Sequence, residues 1–484
     1  MQTTTELSPT LRIPRMVMGL WQIADIERKT GTLDAQEAAA HMQPYAENGF
    51  SCFDMADHYG SSEIIAGTFK NNYAQSDQIK LFTKWVPEPG KVTREMVRSA
   101  VEKALDRMQQ SRIELMQFHA WHYPDPSYLD AMGYLNELRE EGLIAHLGVT
   151  NFDAAHLRIL AASGIPVVSN QVSHSLIDQR AQGPLKAVCE QYNIKLLAYG
   201  TLAGGFLADK WLAQPEPKSA ELSTWSQMKY KRFIDAAGGW AVFQQLLRSL
   251  KTVADKHQSS IASVVSRYVL ENPAVGAIIV GARLGEGHHI EDHKACLQLD
   301  LDAEDVQLIG EAQEQLSPIL GDCGDEYRKP PYLTASGDLS HHLSQIPSVF
   351  EPITKGPNHQ KVYSNTIWEG FAGYCRAVRK GQHIHVSGTT ATHESQLIGG
   401  QDAAAQTHFI IDKIEASISA LGGSLSDVLR TRIFVHNLED WEAVARAHGE
   451  RFKGIDPANT LVEARLVGEG YLVEIEAEAI VLED

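Results

Sequence analysis

At 484 residues the chain is too long for one ordinary hydrophobic core, and a hydrophobic content of 43% supplies apolar material for two or three domains. The formal net charge of −18 is shared by both halves, residues 345–484 alone holding 12 Lys and Arg against 19 Asp and Glu, and no basic stripe interrupts it; nucleic acid and anionic membrane are therefore not expected as partners. Five scattered cysteines without a CxxC pair, no signal-peptide core in MQTTTELSPTLRIPRM and no run near the roughly 18 apolar residues of a membrane span point to a soluble, cytoplasmic protein with free thiols and no metal site.

From residue 16 to about 300, short β-rich runs alternate with helical periods. The runs are 16–22, 50–56, 80–85, 113–120, 144–150, 166–172, 194–200 and 275–281. Between them, residues 93–110 and 126–142 carry helical periodicity, with Thr93 and Ser127 as expected caps and Gly142 as the stop. Eight strand-then-helix units predict an α/β fold, a (β/α)8 TIM barrel over residues 1–320. A doubly wound open sheet is the alternative, but no GxGxxG turn follows the first strand.

Four reactive side chains fall at or just past the ends of successive strands: Asp54 and Tyr59 in CFDMADHYGSSE, Lys84 in KLFTKWVP, and His119 in IELMQFHAWH. Strand ends of such a barrel converge on one pocket. Together the four make a proton donor: an ammonium lowers the pKa of a phenol, a carboxylate fixes the ammonium, and an imidazole orients a carbonyl oxygen. The connection over residues 203–238 is long for a βα loop and is expected to form a lid, with Trp225 and Tyr230 facing the pocket.

Residues 321–360 are rich in Pro, Gly, Ser and His, show no period and read as a linker that partly packs on the barrel and in which His341 and His342 are solvated. A new pattern starts near residue 361. The strands AVRKGQHIHVSG, RTRIFVHN and YLVEIEAEAIVL and the helices 401–422 and 440–452 predict a compact α+β domain over residues 361–484.

Residues 16 to about 315 resemble the aldo-keto reductases, because Asp54, Tyr59, Lys84 and His119 match that family's catalytic tetrad in order and approximate spacing. The resemblance implies Tyr59 as general acid, tuned by Lys84 and Asp54, with His119 placing the carbonyl. It also implies nicotinamide contacts from Thr150 and Asn151 of GVTNF, Gln171 of SNQV and Tyr199 of LLAYG. Gly200, Leu202 and Gly204 would run along the pyrophosphate. Gly281, Arg283 and Asp292 of GARLGEGHHIEDH would meet the adenosine end, and Arg283 favours NADP(H) over NAD(H). Fragments such as VVSNQVSHS and GDCGDEYR look like a subgroup in which some members are radial spoke components.

Residues from about 363 resemble the RidA/YjgF family, a chorismate mutase-like α+β fold, through GYCRAV, HVSGTT, PANTLVEARL and LVEIEAEAI. That family forms trimers and often hydrolyses imines and enamines. Tyr374 and Glu474 fall on its ligand-site tyrosine and glutamate, whereas Asn459 stands where the deaminase subgroup has an arginine. An amide cannot make a charge-assisted bidentate contact to a carboxylate.

The expectation is therefore an NAD(P)H-dependent reductase of a carbonyl or imine small molecule, a homotrimer through its C-terminal domain. The alternatives are an imine or enamine hydrolase coupled to the barrel, and a non-catalytic scaffold using both folds.

Overall fold

The computed structural model describes residues 3–23, 34–285, 288–333 and 339–482, excluding the side chains of 339–341. Eight parallel strands close into a barrel in sequence order: Met16–Gly19, Cys52–Asp54, Lys80–Trp85, Ile113–Phe118, Ile144–Thr150, Val167–Ser173, Lys195–Tyr199 and Val275–Gly281. Each was visible as an apolar run because strands enclosed on both faces need few polar residues before their ends. A hairpin, Thr4–Ser8 with Leu11–Pro14, was not foreseen. Its Leu7, Leu11 and Ile13 pack with Val17, Phe82, Leu115 and Leu197 inside the barrel.

The helix Arg94–Met108 is capped by Thr93, whose side chain accepts from the Met96 N–H. Ser127 is not the cap of the next helix: Pro126 holds that position, and Ser127 Oγ donates to Asp125 at 2.5 Å. The 203–238 connection carries its own secondary structure. It folds into three short 3-10 turns and the helix Trp225–Ala236, which buries Tyr230 and Phe233.

Residues 321–360 are more ordered than a linker. The turn Asp325–Tyr327 is locked to the barrel because Glu326, fully buried, pairs with Arg180 at 2.9 Å and Lys229 at 3.1 Å. His342 is buried rather than solvated, its ring 5.1 Å from that of Trp121, and the His341 side chain lies outside the described residues. Ile353–Gly356 and His359–Val362 are strands of the C-terminal sheet.

That sheet has seven strands, ordered Ile353–Gly356, His359–Val362, Ala377–Lys380, His383–Thr389, Val473–Ile480, Val428–Val435 and Ala458–Glu463. AVRKGQHIHVSG is thus two strands turning at Gly381 (φ +59°), not one. Val473, Ile475, Ala477 and Ala479 alternate into the core under the helices Ala403–Ala420 and Trp441–Arg451, leaving Glu474, Glu476 and Glu478 on the other face. Among the described residues no helix is long and apolar enough to cross a membrane.

The helix Ala403–Ala420 is buried almost all round because its second side packs on the barrel helix Ala154–Ala162. Between them His156 donates to Asp153 at 2.7 Å and to Asp412 at 3.0 Å, and Arg451 completes the cluster at 2.7 Å from Asp412. The two carboxylates raise the His156 pKa to about 9 against the opposing effect of burial. A histidine raised in the fold stabilises fully below its unfolded value and loses that contribution as pH climbs through the folded one. The stability gap between wild type and His156→Gln, from denaturant melts, is therefore expected to narrow by about 3 kcal/mol between pH 6.5 and 9.5.

Candidate active site

The strand ends deliver the polar residues to one place. Asp54 closes its strand, Lys84 is the next-to-last residue of Lys80–Trp85, His119 follows Ile113–Phe118, and Tyr59 sits in the turn before the helix Ser62–Asn72. All four line a cavity of about 820 Å³. Thr150, Asn151, Gln171, Tyr199, Gly200, Leu202, Gly204, Gly281, Arg283, Asp292, Trp225 and Tyr230 line the same cavity.

At its floor Lys84 Nζ donates to Asp54 Oδ2 and to the Met55 carbonyl, each at 2.5 Å, with both charged side chains only 4% exposed. The second Asp54 oxygen accepts from Gln117 and Gln171, both at 2.9 Å. Burial lowers the Lys84 pKa, and Asp54 works against that shift. The ammonium lies 4.9 Å from the centroid of the Tyr59 ring. Contrary to the expected lowering, the Tyr59 pKa is raised well above its ordinary value, by burial first and then by the Asp54 charge. The phenol thus keeps its proton, the state a donor needs. Trp21 meets its ring edge-on at 4.9 Å.

Burial, with Arg328 second, drives the His119 pKa well below its usual value, so the imidazole is neutral. Both its ring nitrogens are buried without a hydrogen-bond partner, as is Gln22 Oε1. Orphaned polar atoms on a cavity wall call for a ligand that satisfies them. Together with Arg283, which lines the same cavity, these groups offer the cation and polar atoms that a nicotinamide dinucleotide and a polar substrate atom would need. At Gly200 (φ +69°) an added Cβ would lie 1.8 Å from the Tyr230 hydroxyl, so only glycine permits this approach. At the far end Asp292 lies 3.3 Å from His289, both exposed. His293 is buried against Phe50, and its pKa falls to about 4 through burial.

Sequence reasoning missed a second group on the opposite wall. Tyr327 reaches into the cavity with its ring 5.9 Å from His119. Its hydroxyl accepts from Lys229 at 2.8 Å and lies 3.1 Å from that of Tyr199, which donates to Asn151 Oδ1 at 2.7 Å. GDCGDEYR was the available signal, obscured by the linker reading.

Of the three expected residues in the C-terminal domain, Tyr374 and Glu474 both act on Arg376, whereas Asn459 turns elsewhere. Asn459 donates to Thr431 Oγ1 at 2.9 Å, and Thr431 bonds His448 on the helix-covered face. Glu474 lies on the other face, its pKa raised by burial with Arg376 opposing. Tyr374 lies beside Arg376, 5.9 Å from ring centroid to guanidinium.

The aldo/keto reductase family model matches residues 15–314, and one described as endoribonuclease L-PSP matches residues 367–481. A chloroplastic pyridoxal reductase of Arabidopsis thaliana is 25% identical over 287 residues, 55% of this chain and 74% of that protein. An NADH-specific methylglyoxal reductase of Escherichia coli is 23% identical over 330 residues, 63% of this chain and 96% of its own. An uncharacterized Streptomyces coelicolor protein is 34% identical over 121 residues, 25% of this chain and 90% of that one.

The turn that carries Tyr327 depends on Gly324 (φ +85°), where a Cβ would come within 2.2 Å of the Asn151 carbonyl. Gly324→Ala is expected to destabilise the protein by about 1–3 kcal/mol. Gly133→Ala, with nothing within 4 Å of the new methyl, should be neutral or stabilising in the same thermal melts.

Proposed function

The chain belongs to the aldo/keto reductase family and is an NAD(P)H-dependent oxidoreductase, and from that premise we propose that it reduces a C=O or C=N bond of a small molecule with Tyr59 as the proton donor. The observation that carries this reading is the meeting of Tyr59, the Asp54–Lys84 pair and the unpartnered His119 in one cavity. A bound nicotinamide supplies the hydride. Tyr59 gives its proton to the substrate oxygen or nitrogen as charge develops there. Lys84, held by Asp54 and the Met55 carbonyl, stabilises the phenolate that remains. His119, neutral, orients the accepting atom through a ring N–H.

The cofactor contacts assigned to Thr150, Asn151, Gln171, Tyr199, Gly200, Leu202, Gly204, Gly281 and Asp292 belong to the same reading. NADP(H) is favoured over NAD(H) because the Arg283 fork suits a 2′-phosphate. Its place on the cavity wall supports this, although one relative is named for NADH.

The RidA/YjgF-like domain is proposed to assemble a homotrimer. Support comes from apolar side chains exposed on that domain, including Ile367 (80%), Phe371 (85%) and Val467 (81%). Such a concentration marks an interaction surface. Imine or enamine handling by Tyr374 and Glu474 is the second role the domain suggests, and Asn459, turned to Thr431, argues against carboxylate-bearing substrates.

Tyr59→Phe should lower turnover about 100-fold or more while NADPH still binds; unchanged turnover in a carbonyl and cyclic-imine panel removes Tyr59 as the acid. Arg283→Ala should weaken NADPH by about 1.5–3 kcal/mol and leave NADH nearly unchanged; equal weakening contradicts the 2′-phosphate assignment. Light scattering should return three chains per particle, and a monomer at micromolar concentration ends the trimer reading.

A further inference from the structure

The interface between the two domains leads physically into the cofactor side of the reductase cavity. It begins at Asp412, on the C-terminal helix, which accepts from His156 at 3.0 Å and faces Arg451 at 2.7 Å. The His156 ring lies flat on Tyr123, with centroids 3.5 Å apart and planes 4° from parallel. The Arg328 guanidinium also meets Tyr123, 4.3 Å from its centroid. One ring face holds one stacked group, so His156 and Arg328 occupy opposite faces of the phenol ring, each attracted by its π-cloud.

Arg328 then acts on two parts of the site. Its Nη1 donates to the Asn151 carbonyl at 2.8 Å, and its Nε and Nη2 donate to the Ala120 carbonyl at 2.9 and 2.7 Å. Tyr123 adds a hydroxyl bond to the same Asn151 carbonyl at 3.3 Å. Asn151 holds a left-handed backbone (φ +60°) and presents its amide oxygen to Tyr199. Arg328 also follows Tyr327 directly, so the stack fixes both walls of the cavity beside His119.

We propose that Asp412 and His156 are positioning residues of the reductase: the C-terminal domain, through Asp412, holds the His156–Tyr123–Arg328 stack and thereby the Asn151 backbone and the turn bearing Tyr327. The proposal rests on the reading of Asn151 as part of the nicotinamide site. It assigns the fused domain a part in cofactor binding although none of that domain's described residues lines the cavity. A buried carboxylate pair around one imidazole suits this role, because its directional bonds fix ring orientation where apolar packing alone would leave it adjustable.

A second interface contact separates positioning from general stability. Asp402 also joins the domains, accepting from Arg158 at 2.7 Å and from the Tyr192 hydroxyl at 2.6 Å, with no stacked path to Asn151. In the full-length protein, NADPH dissociation constants by fluorescence titration and the split of KM from kcat are compared for wild type, Asp412→Asn and Asp402→Asn. Asp412→Asn should weaken NADPH about 3- to 10-fold, whereas Asp402→Asn should stay within about 1.5-fold even if both melt earlier. In a Tyr123→Leu background the Asp412→Asn effect should vanish, since the link is already cut. His156→Gln, whose single amide nitrogen replaces the two donating ring nitrogens and which lacks the flat cationic ring, gives the same comparison if Asp412→Asn does not fold. Equal weakening by Asp412→Asn and Asp402→Asn, or a full Asp412→Asn effect without Tyr123, overturns the proposal. A wild type that binds neither NADPH nor NADH overturns the nicotinamide-site reading itself.

Discussion

The buried pair of Asp54 and Lys84 is the constraint around which the barrel end is organised. Two charges taken out of water cost several kcal/mol each unless every lone pair and proton finds a partner. Here the partners come from around the barrel: the Met55 carbonyl just past Asp54's own strand, and the Gln117 and Gln171 amides from the strands Ile113–Phe118 and Val167–Ser173. Register across strands is therefore held by polar bonds at the rim as well as by apolar packing below. Removing one member strands the other, at a typical cost of about 3–5 kcal/mol. The arrangement is better suited to holding the Tyr59 phenol beside a cation than to stabilising the fold.

The same economy of partners joins the two domains. The helix Ala403–Ala420 serves two cores at once, its apolar residues facing the sheet and the barrel helix Ala154–Ala162. Polar anchors punctuate that surface: Asp412 with His156, Asp402 with Arg158, and His393 with Asp130 at 2.9 Å. Interfaces between domains of one chain are usually more polar than obligate ones, and directional bonds of this kind specify one docking geometry. An acidic protein gains a further advantage, since carboxylates spent on internal cations no longer repel one another.

The barrel and the cavity residues were legible because their signals are local. A parallel strand is a largely apolar run, and the reactive polar residue where it gives way to a loop marks the rim, which exposed Asp54, Lys84 and His119 directly. Tyr199 and Gly200 of LLAYG came instead from the family resemblance. What stayed hidden depends on long-range pairing. The segment carrying Tyr327 has no periodicity, and its order comes from Arg180 and Lys229, roughly 150 and 100 residues away in sequence, meeting Glu326. His342 likewise became a buried ring only because Trp121 lies beneath it. The direction of the Tyr59 shift needed the cavity itself, since burial outweighs the neighbouring ammonium. Asn459 was read only as the residue standing where the deaminase subgroup has an arginine, and the face it turns to is set by a register that the sequence does not display.

The most direct test of the central claim follows deuterium from NADPH labelled at C4 of the nicotinamide into the product, for wild type and for Lys84→Met. If the Asp54–Lys84 pair builds the proton-donating centre, wild type delivers one deuterium to the reduced carbon, and Lys84→Met, still binding NADPH, transfers it about 100-fold more slowly or worse. Transfer at the wild-type rate by Lys84→Met would contradict the account.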